Sequence, residues 1–188
     1  CSRDGSSHRH EMLGSIAEWL MKEVQPSDAA TPVVSAFYDR FPFPGDPLQD
    51  GPPPGYNWRW CHRSVLASVH GVIPAGQQQP RILDAGCSTG VSTDYLCHLN
   101  PGAEVVAVDI SDGALAVARE RLERSAARQA VRSLRQEQRS LLDLGDETPF
   151  DYINSVGVLH HLREPEAGLA ALADLLAPQG LLHLFLYA

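Results

Sequence analysis

Arg81-Ile-Leu-Asp84-Ala-Gly86-Cys87-Ser88-Thr-Gly90-Val-Ser92 decides the fold of this chain. The short apolar run Arg81–Asp84 ends on an acid. A turn bounded by Gly86 and Gly90 follows, and then Val91, Tyr95 and Leu99 recur at helical spacing. The stretch therefore reads as strand, turn and helix. A helix N-terminus offers unpaired N–H groups and partial positive charge, which suits an anionic ligand group. Gly86 and Gly90 remove Cβ atoms that would keep a ligand off the backbone. The next apolar run, Val105–Asp109, ends on an acid placed to accept hydrogen bonds from a ribose diol. Together these features describe a nucleoside-binding α/β half-domain.

Downstream, strand and helix keep alternating. Ala114–Arg128 carries Leu115, Ala118 and Leu122 on one helical face; Arg132–Gln136 is a polar strand; Asp151–Ser155 is a fourth strand. Pro165–Leu176 is a helix and Leu181–Tyr187 a fifth strand. Such alternation predicts a parallel sheet with crossover helices, a doubly wound Rossmann-like α/β fold.

Upstream the character changes. Residues 1–11 are polar and read as disordered; Leu13, Ile16, Leu20 and Val24 mark a short amphipathic helix; Asp28–Pro32 is a loop; Val33–Arg40 is a second helix. Between Phe41 and Gly55 prolines and glycines are too dense for a helix or a central strand. Aromatics are interleaved with them: Phe37, Tyr38, Phe41, Phe43, Tyr56, Trp58 and Trp60. Because aromatics favour being covered, residues 33–60 are expected to form an ordered arm against the core. Ser64–Val72 is a helix and Pro74–Pro80 a turn. The chain thus divides into an arm, 1–80, and a nucleoside-binding core, 81–188.

The glycine spacing separates two cofactor classes. A dinucleotide fingerprint has Gly-x-Gly-x-x-Gly after the strand. Here Asp84 stands two residues before the first glycine, where it repels a pyrophosphate but suits an ammonium group. S-adenosylmethionine (SAM) carries an ammonium and a sulfonium and no phosphate. At these residues the chain resembles the class I SAM-dependent methyltransferases. The resemblance runs in order through Leu83–Gly90, Val105–Asp109, Gln138–Leu144, Phe150–Leu162 and Leu175–Phe185, covering 81–188.

The resemblance implies SAM as cofactor and a set of contacts. Asp84 orders the glycine turn and faces the ammonium group, directly or through water, or merely caps the helix or turn. Gly86, Cys87, Ser88 and Gly90 form the loop beneath the ligand. Asp109 takes the ribose hydroxyls or caps the following helix, and Ile110 lies against the adenine. Ser140 and Leu141 flank the adenine, and Asn154, Ser155 and Val156 line the strand tip, with backbone carbonyls toward the ammonium group. Two departures bear on these contacts. Ser88 replaces a middle glycine, and its added hydroxyl either hydrogen-bonds the ligand or the helix terminus or weakens binding. Ser140 replaces an acid, so it accepts without charge. The family has two further strands after the fifth; their lack here predicts a fragment, or a second copy covering the sheet edge.

Methyl transfer from a sulfonium needs alignment and exclusion of water more than a conspicuous catalytic pair. His160 and His161, pointing about 100° apart on a helix, supply a base or merely pack. Tyr38 and Arg59 close over SAM, hold a substrate carboxylate or merely pack. No spacing suggests a metal. Gly86-Cys-Ser88-Thr-Gly90 also fits the nucleophile elbow of α/β-hydrolases, with Asp143 and His161 or His183 following in triad order. Residues 1–80, however, lack the preceding strands. A methyltransferase fold that binds without turnover is the other alternative.

The 188 residues, 44% hydrophobic and 20% charged, suit one soluble domain. A net charge of −8 disfavours nucleic acid and anionic membranes and leaves a small-molecule or protein acceptor. No apolar run reaches the roughly 20 residues of a membrane helix. Four cysteines without metal spacing fit a reducing cytoplasm.

Overall fold

The computed structural model describes residues 31–71 and 79–187. The expected disorder of residues 1–11 and the helix at Leu13–Val24 lie outside them, as does most of the Pro74–Pro80 turn.

Five strands form one parallel sheet in the order β3-β2-β1-β4-β5. They are β1 (Arg81–Ala85), β2 (Glu104–Asp109), β3 (Ser133–Gln138), β4 (Phe150–Val156) and β5 (Leu176–Phe185). The helices are α1 (Thr31–Arg40), α2 (His62–His70), α3 (Val91–Leu99), α4 (Asp112–Arg124), α5 (Ala127–Ala130) and α6 (Pro165–Asp174). This is the doubly wound α/β fold expected from the sequence.

Successive strand residues point to opposite faces, so each face buries its own core. Leu83, Val106, Val108 and Ile153 pack with Leu169 and Leu172 of α6. Ile82, Val105 and Tyr152 pack with Leu96 of α3 and Leu122 of α4. Cover on both faces explains why β1 and β2 are nearly unbroken apolar runs. β3 is polar because it lies at a sheet edge. There Arg135 pairs with Glu147 at 2.8 Å, and Arg81 bridges Glu104 at 2.7 Å and Glu147 at 2.5 Å.

Several boundaries differ from the sequence reading. β5 begins at Leu176, five residues early, and its pairing with β4 shifts between Phe150 and Tyr152. Pro178 and Gly180 in that irregular stretch hide the strand pattern. Gly180 is needed, because a Cβ would come within 2.7 Å of the Phe150 carbonyl oxygen. The helix expected over Ala114–Arg128 breaks at Ala126, which takes a left-handed φ of 58°. His160 and His161 sit on a single 3-10 turn, Leu159–His161, not on an α-helix. Among the described residues no helix is long and apolar enough to cross a membrane.

Candidate active site

The strand order reverses direction between β1 and β4, and ligands in such sheets sit outside the carboxyl ends of the strands at that point. A cavity of about 350 Å³ opens there. Its walls come from the β1 turn (Gly86, Cys87, Ser88), the end of β2 (Val108, Asp109, Ile110), the segment after β3 (Arg139, Ser140, Leu141) and the end of β4 (Val156, Gly157, Val158). The arm adds Val34, Tyr38, Phe43, Pro44 and Trp60.

Asp109 sits on the cavity wall. Its carboxylate accepts the backbone N–H groups of Ser88 at 2.8 Å and Ser111 at 2.9 Å. Burial pushes its pKa up against those bonds. It is Ser111, not Asp109, that caps α4 from its side chain, accepting from Ala114 N at 3.0 Å.

Asp84 holds the start of α3, in keeping with the capping alternative, and does not line the cavity. It is 1% exposed. One carboxylate oxygen accepts from Ser92 at 2.8 Å and Thr93 at 2.6 Å, the other from Asn154 at 2.7 Å. Burial raises its pKa despite the three bonds. With both oxygens engaged inside the protein, Asp84 ties β1 to the first turn of α3 and to β4. Asn154 is buried for the same reason. Its amide oxygen also takes Trp60 Nε1 at 3.2 Å and His183 Nδ1 at 2.7 Å. Ser155 is buried as well, so of the three predicted tip residues only Val156 lines the cavity.

The glycines serve packing. A Cβ on Gly86 would strike the Val158 side chain, and one on Gly90 would come within 2.9 Å of the Ala118 Cβ on α4. Gly90 is off the cavity wall altogether. Ser88 adopts a φ of 45°, a region that favours glycine. Its hydroxyl donates to the Phe43 carbonyl of the arm, and Thr89 donates to the Pro44 carbonyl at 2.8 Å.

Ile110, Ser140, Leu141 and Cys87 all line the cavity. Ser140 spends its hydroxyl oxygen on Leu142 N at 3.2 Å, capping the turn Leu141–Asp143. Burial pushes the Cys87 thiol up, so it stays protonated and inert.

Tyr38 and His161, far apart in sequence, meet on the wall: the phenol oxygen lies 3.1 Å from Nε2. Burial raises the phenol's pKa and lowers that of the imidazole, so both are neutral near pH 7. His160 stacks behind, 4.1 Å between ring centroids, rather than pointing away as on a helix. Burial and its neighbour lower its pKa to about 4. Arg59 falls outside the site, because its guanidinium lies over Trp58 at 4.8 Å and faces solvent. The hydrolase alternative lacks its triad: among the described residues no histidine hydrogen-bonds Ser88, while His161 pairs with Tyr38 and His183 with Asn154.

Sequence reasoning missed Arg139, Trp60, Phe43 and Tyr187 on the wall. Arg139 could have been found from its place beside Ser140. The arm residues carry no local signal, since only the tertiary fold brings them over β1. Among the described residues no cluster of acids, histidines and cysteines could hold a metal.

Comparison with known proteins fits this geometry. Residues 83–182 match the family described as methyltransferase domain. An uncharacterized protein of Synechococcus sp. is 57% identical over 162 residues, 86% of this chain and 38% of its own length. That span is longer than the core, so the likeness reaches into the arm. A ubiquinone biosynthesis O-methyltransferase of Ruegeria pomeroyi is 37% identical over 101 residues, 54% of this chain and 38% of its own length. The chain thus spans well under half of either relative. Magnesium protoporphyrin IX methyltransferase of Synechocystis PCC 6803, solved with bound SAH, shares the fold, with TM-score 0.54 and 20% identity over 78% of this chain and 68% of that one. On the strength of the matched core, the chain belongs to the methyltransferase domain family.

Proposed function

We propose that the chain binds S-adenosylmethionine in this cavity and passes its methyl group to a small-molecule acceptor, with a protein side chain as the other acceptor class. The observation that carries the reading is Asp109. An acid held by two backbone amides at the end of β2 keeps lone pairs turned to the cavity, as a ribose diol requires. Ile110 and Leu141 supply apolar walls for an adenine. The family match and the SAH-bound neighbour support the same ligand. When bound, the sulfonium supplies an already activated methyl group, so the protein's task is alignment and dryness.

The chain's own residues divide that task. Ser88 and Asp109 fix the loop, and Phe43, Pro44 and Trp60 shield the cavity from water. His161, neutral and bonded to Tyr38, can take a proton from an acceptor at Nε2 or through the phenol. Free thiols at Cys61, Cys87 and Cys97 suit a reducing cytoplasm.

Thermal melts with SAM, SAH and NAD test this reading. Ligand binding to the folded state raises Tm by mass action. SAM and SAH should raise it and NAD should not; an upshift with NAD alone would overturn the assignment.

A further inference from the structure

Seven rings follow one another along and beyond the cavity wall: Phe41, Phe37, Tyr38, His161, His160, Tyr187 and Phe185. Their successive centroid separations are 5.5, 5.3, 5.7, 4.1, 5.2 and 5.2 Å. Five of the six lie within the range of about 4.5–7 Å where aromatic rings attract one another in stacked or edge-on arrangements, and the adjacent His160–His161 pair is closer still. Tyr38, His161 and Tyr187 face the cavity. Phe37 at 56%, Phe41 at 54% and Phe185 at 48% remain open to solvent. The row therefore runs from the surface of the arm along the cavity wall, built from the arm, the turn after β4 and the end of β5.

A row of rings placed for stability alone would be covered, because exposed aromatic area forgoes the gain of burial. Here the open rings adjoin the cavity. The polar atoms in the row are few and uncharged. Tyr38 Oη and His161 Nε2 share one hydrogen bond, and His160 Nδ1 has no hydrogen-bond partner among the described residues. Burial keeps both imidazoles neutral and the phenol protonated. The cation on the cavity wall, Arg139, is already matched by Asp146 at 2.6 Å and Glu147 at 3.4 Å. A ligand along Phe37, Tyr38 and His161 meets ring faces, ring edges and neutral hydrogen-bonding atoms; the cation nearest the row, Arg40, lies over the outer ring of Phe41 at 5.3 Å, away from the Tyr38–His161 pair.

We infer that the aromatic row is the acceptor site and that it takes a planar, uncharged aromatic compound bearing a hydroxyl group. The ring lies along Phe37, Tyr38 and His161, and the hydroxyl meets the Tyr38–His161 pair. The inference rests on the methyl-transfer reading only for the word acceptor; the ligand chemistry comes from the rings.

The test is a set of calorimetric titrations with three probes, each with and without saturating SAH: 2-naphthol, naphthalene and 2-decalol. The first has a planar ring and a hydroxyl, the second only the ring, the third a hydroxyl on a saturated, puckered frame. 2-Naphthol should bind about tenfold tighter than 2-decalol, the margin set by ring–ring contacts. Phe37→Ala, at an exposed position, should weaken 2-naphthol and leave SAH affinity unchanged. Tyr38→Phe keeps the ring and should weaken 2-naphthol about three- to tenfold, the worth of one hydrogen bond, with naphthalene unaffected. Equal binding of 2-decalol and 2-naphthol, or no effect of Phe37→Ala, overturns the acceptor class even if SAH binds. Failure of SAH alone overturns the methyl-transfer reading and leaves the probe ranking to decide the inference.

Discussion

In the proposed reading, Asp109 concentrates the site's recognition in one carboxylate. Because Ser88 N and Ser111 N hold it at 2.8 and 2.9 Å, it meets a ligand without first losing rotamer freedom. Asp109→Ala should weaken SAH binding about ten- to a hundredfold, the range for hydrogen bonds to a charged group; titration of the variant checks it. Gly90 has φ of 79°, and a Cβ there would come within 2.9 Å of the Ala118 Cβ. Gly90→Ala should cost about 1–3 kcal/mol in urea melts from backbone strain alone. His160 gives a pH dependence. Folded, it stays neutral down to about pH 4; unfolded, it takes its proton near 6.5. Between those values the unfolded state binds more protons, so stability falls as pH drops from 6.5 toward 4. His62, His161 and His183, also lowered by burial, act in the same sense. The raised carboxyls of Asp84 and Asp109 act the other way, losing stability as pH rises above 3.8. His160→Asn should flatten the fall of Tm between pH 6.5 and 4; an unchanged slope would assign it to the other groups.

At the scale of elements, the arm decides what surrounds the cavity. Arg121, 4% exposed on α4, donates to the carbonyls of Thr89 at 2.9 Å, Asp46 at 2.7 Å and Pro47 at 3.2 Å. One guanidinium thus joins the β1 turn to the proline-rich strap. Asp39 of α1 accepts from Ser111 at 2.7 Å and Gly113 N at 3.0 Å, seating the arm helix on the start of α4. Arg121→Met leaves up to three carbonyls short of a donor. It should cost about 2–4 kcal/mol and speed limited proteolysis between residues 41 and 60; unchanged cleavage would show that the strap is held elsewhere. The sequence made β1, α3, β2 and β4 legible because their apolar periods are uninterrupted. It hid the start of β5 behind Pro178 and Gly180, and it did not show that the rows of arm aromatics would divide. Trp60 stacks 4.8 Å from Tyr95 and joins the core, while Phe37, Phe41, Phe43, Tyr56 and Trp58 stay over 40% exposed. Asp109, Ile110, Ser140 and Leu141 were readable from local order along the chain. The burial of Asp84 and Asn154 was not, since it depends on cross-strand register.

For the whole molecule, the sheet, the loop and the arm act together. The sheet reverses at β1 and β4 and opens a cavity, the glycine turn and Asp109 shape its floor, and the arm closes one side. The network from Trp60 through Asn154 to Asp84 joins arm to sheet, so ligand occupancy and arm docking should reinforce one another. Trp60→Phe, which removes the indole donor, should lower both thermal stability and SAH affinity. A change in stability alone would separate the arm from the site. Whether the cavity holds the cofactor through Asp109 is decided by calorimetric titration of the chain with SAH, beside Asp109→Ala. One SAH should bind per chain with a dissociation constant of roughly micromolar order, and more weakly in the variant. No heat from the unaltered chain, or equal affinity in both proteins, would contradict it.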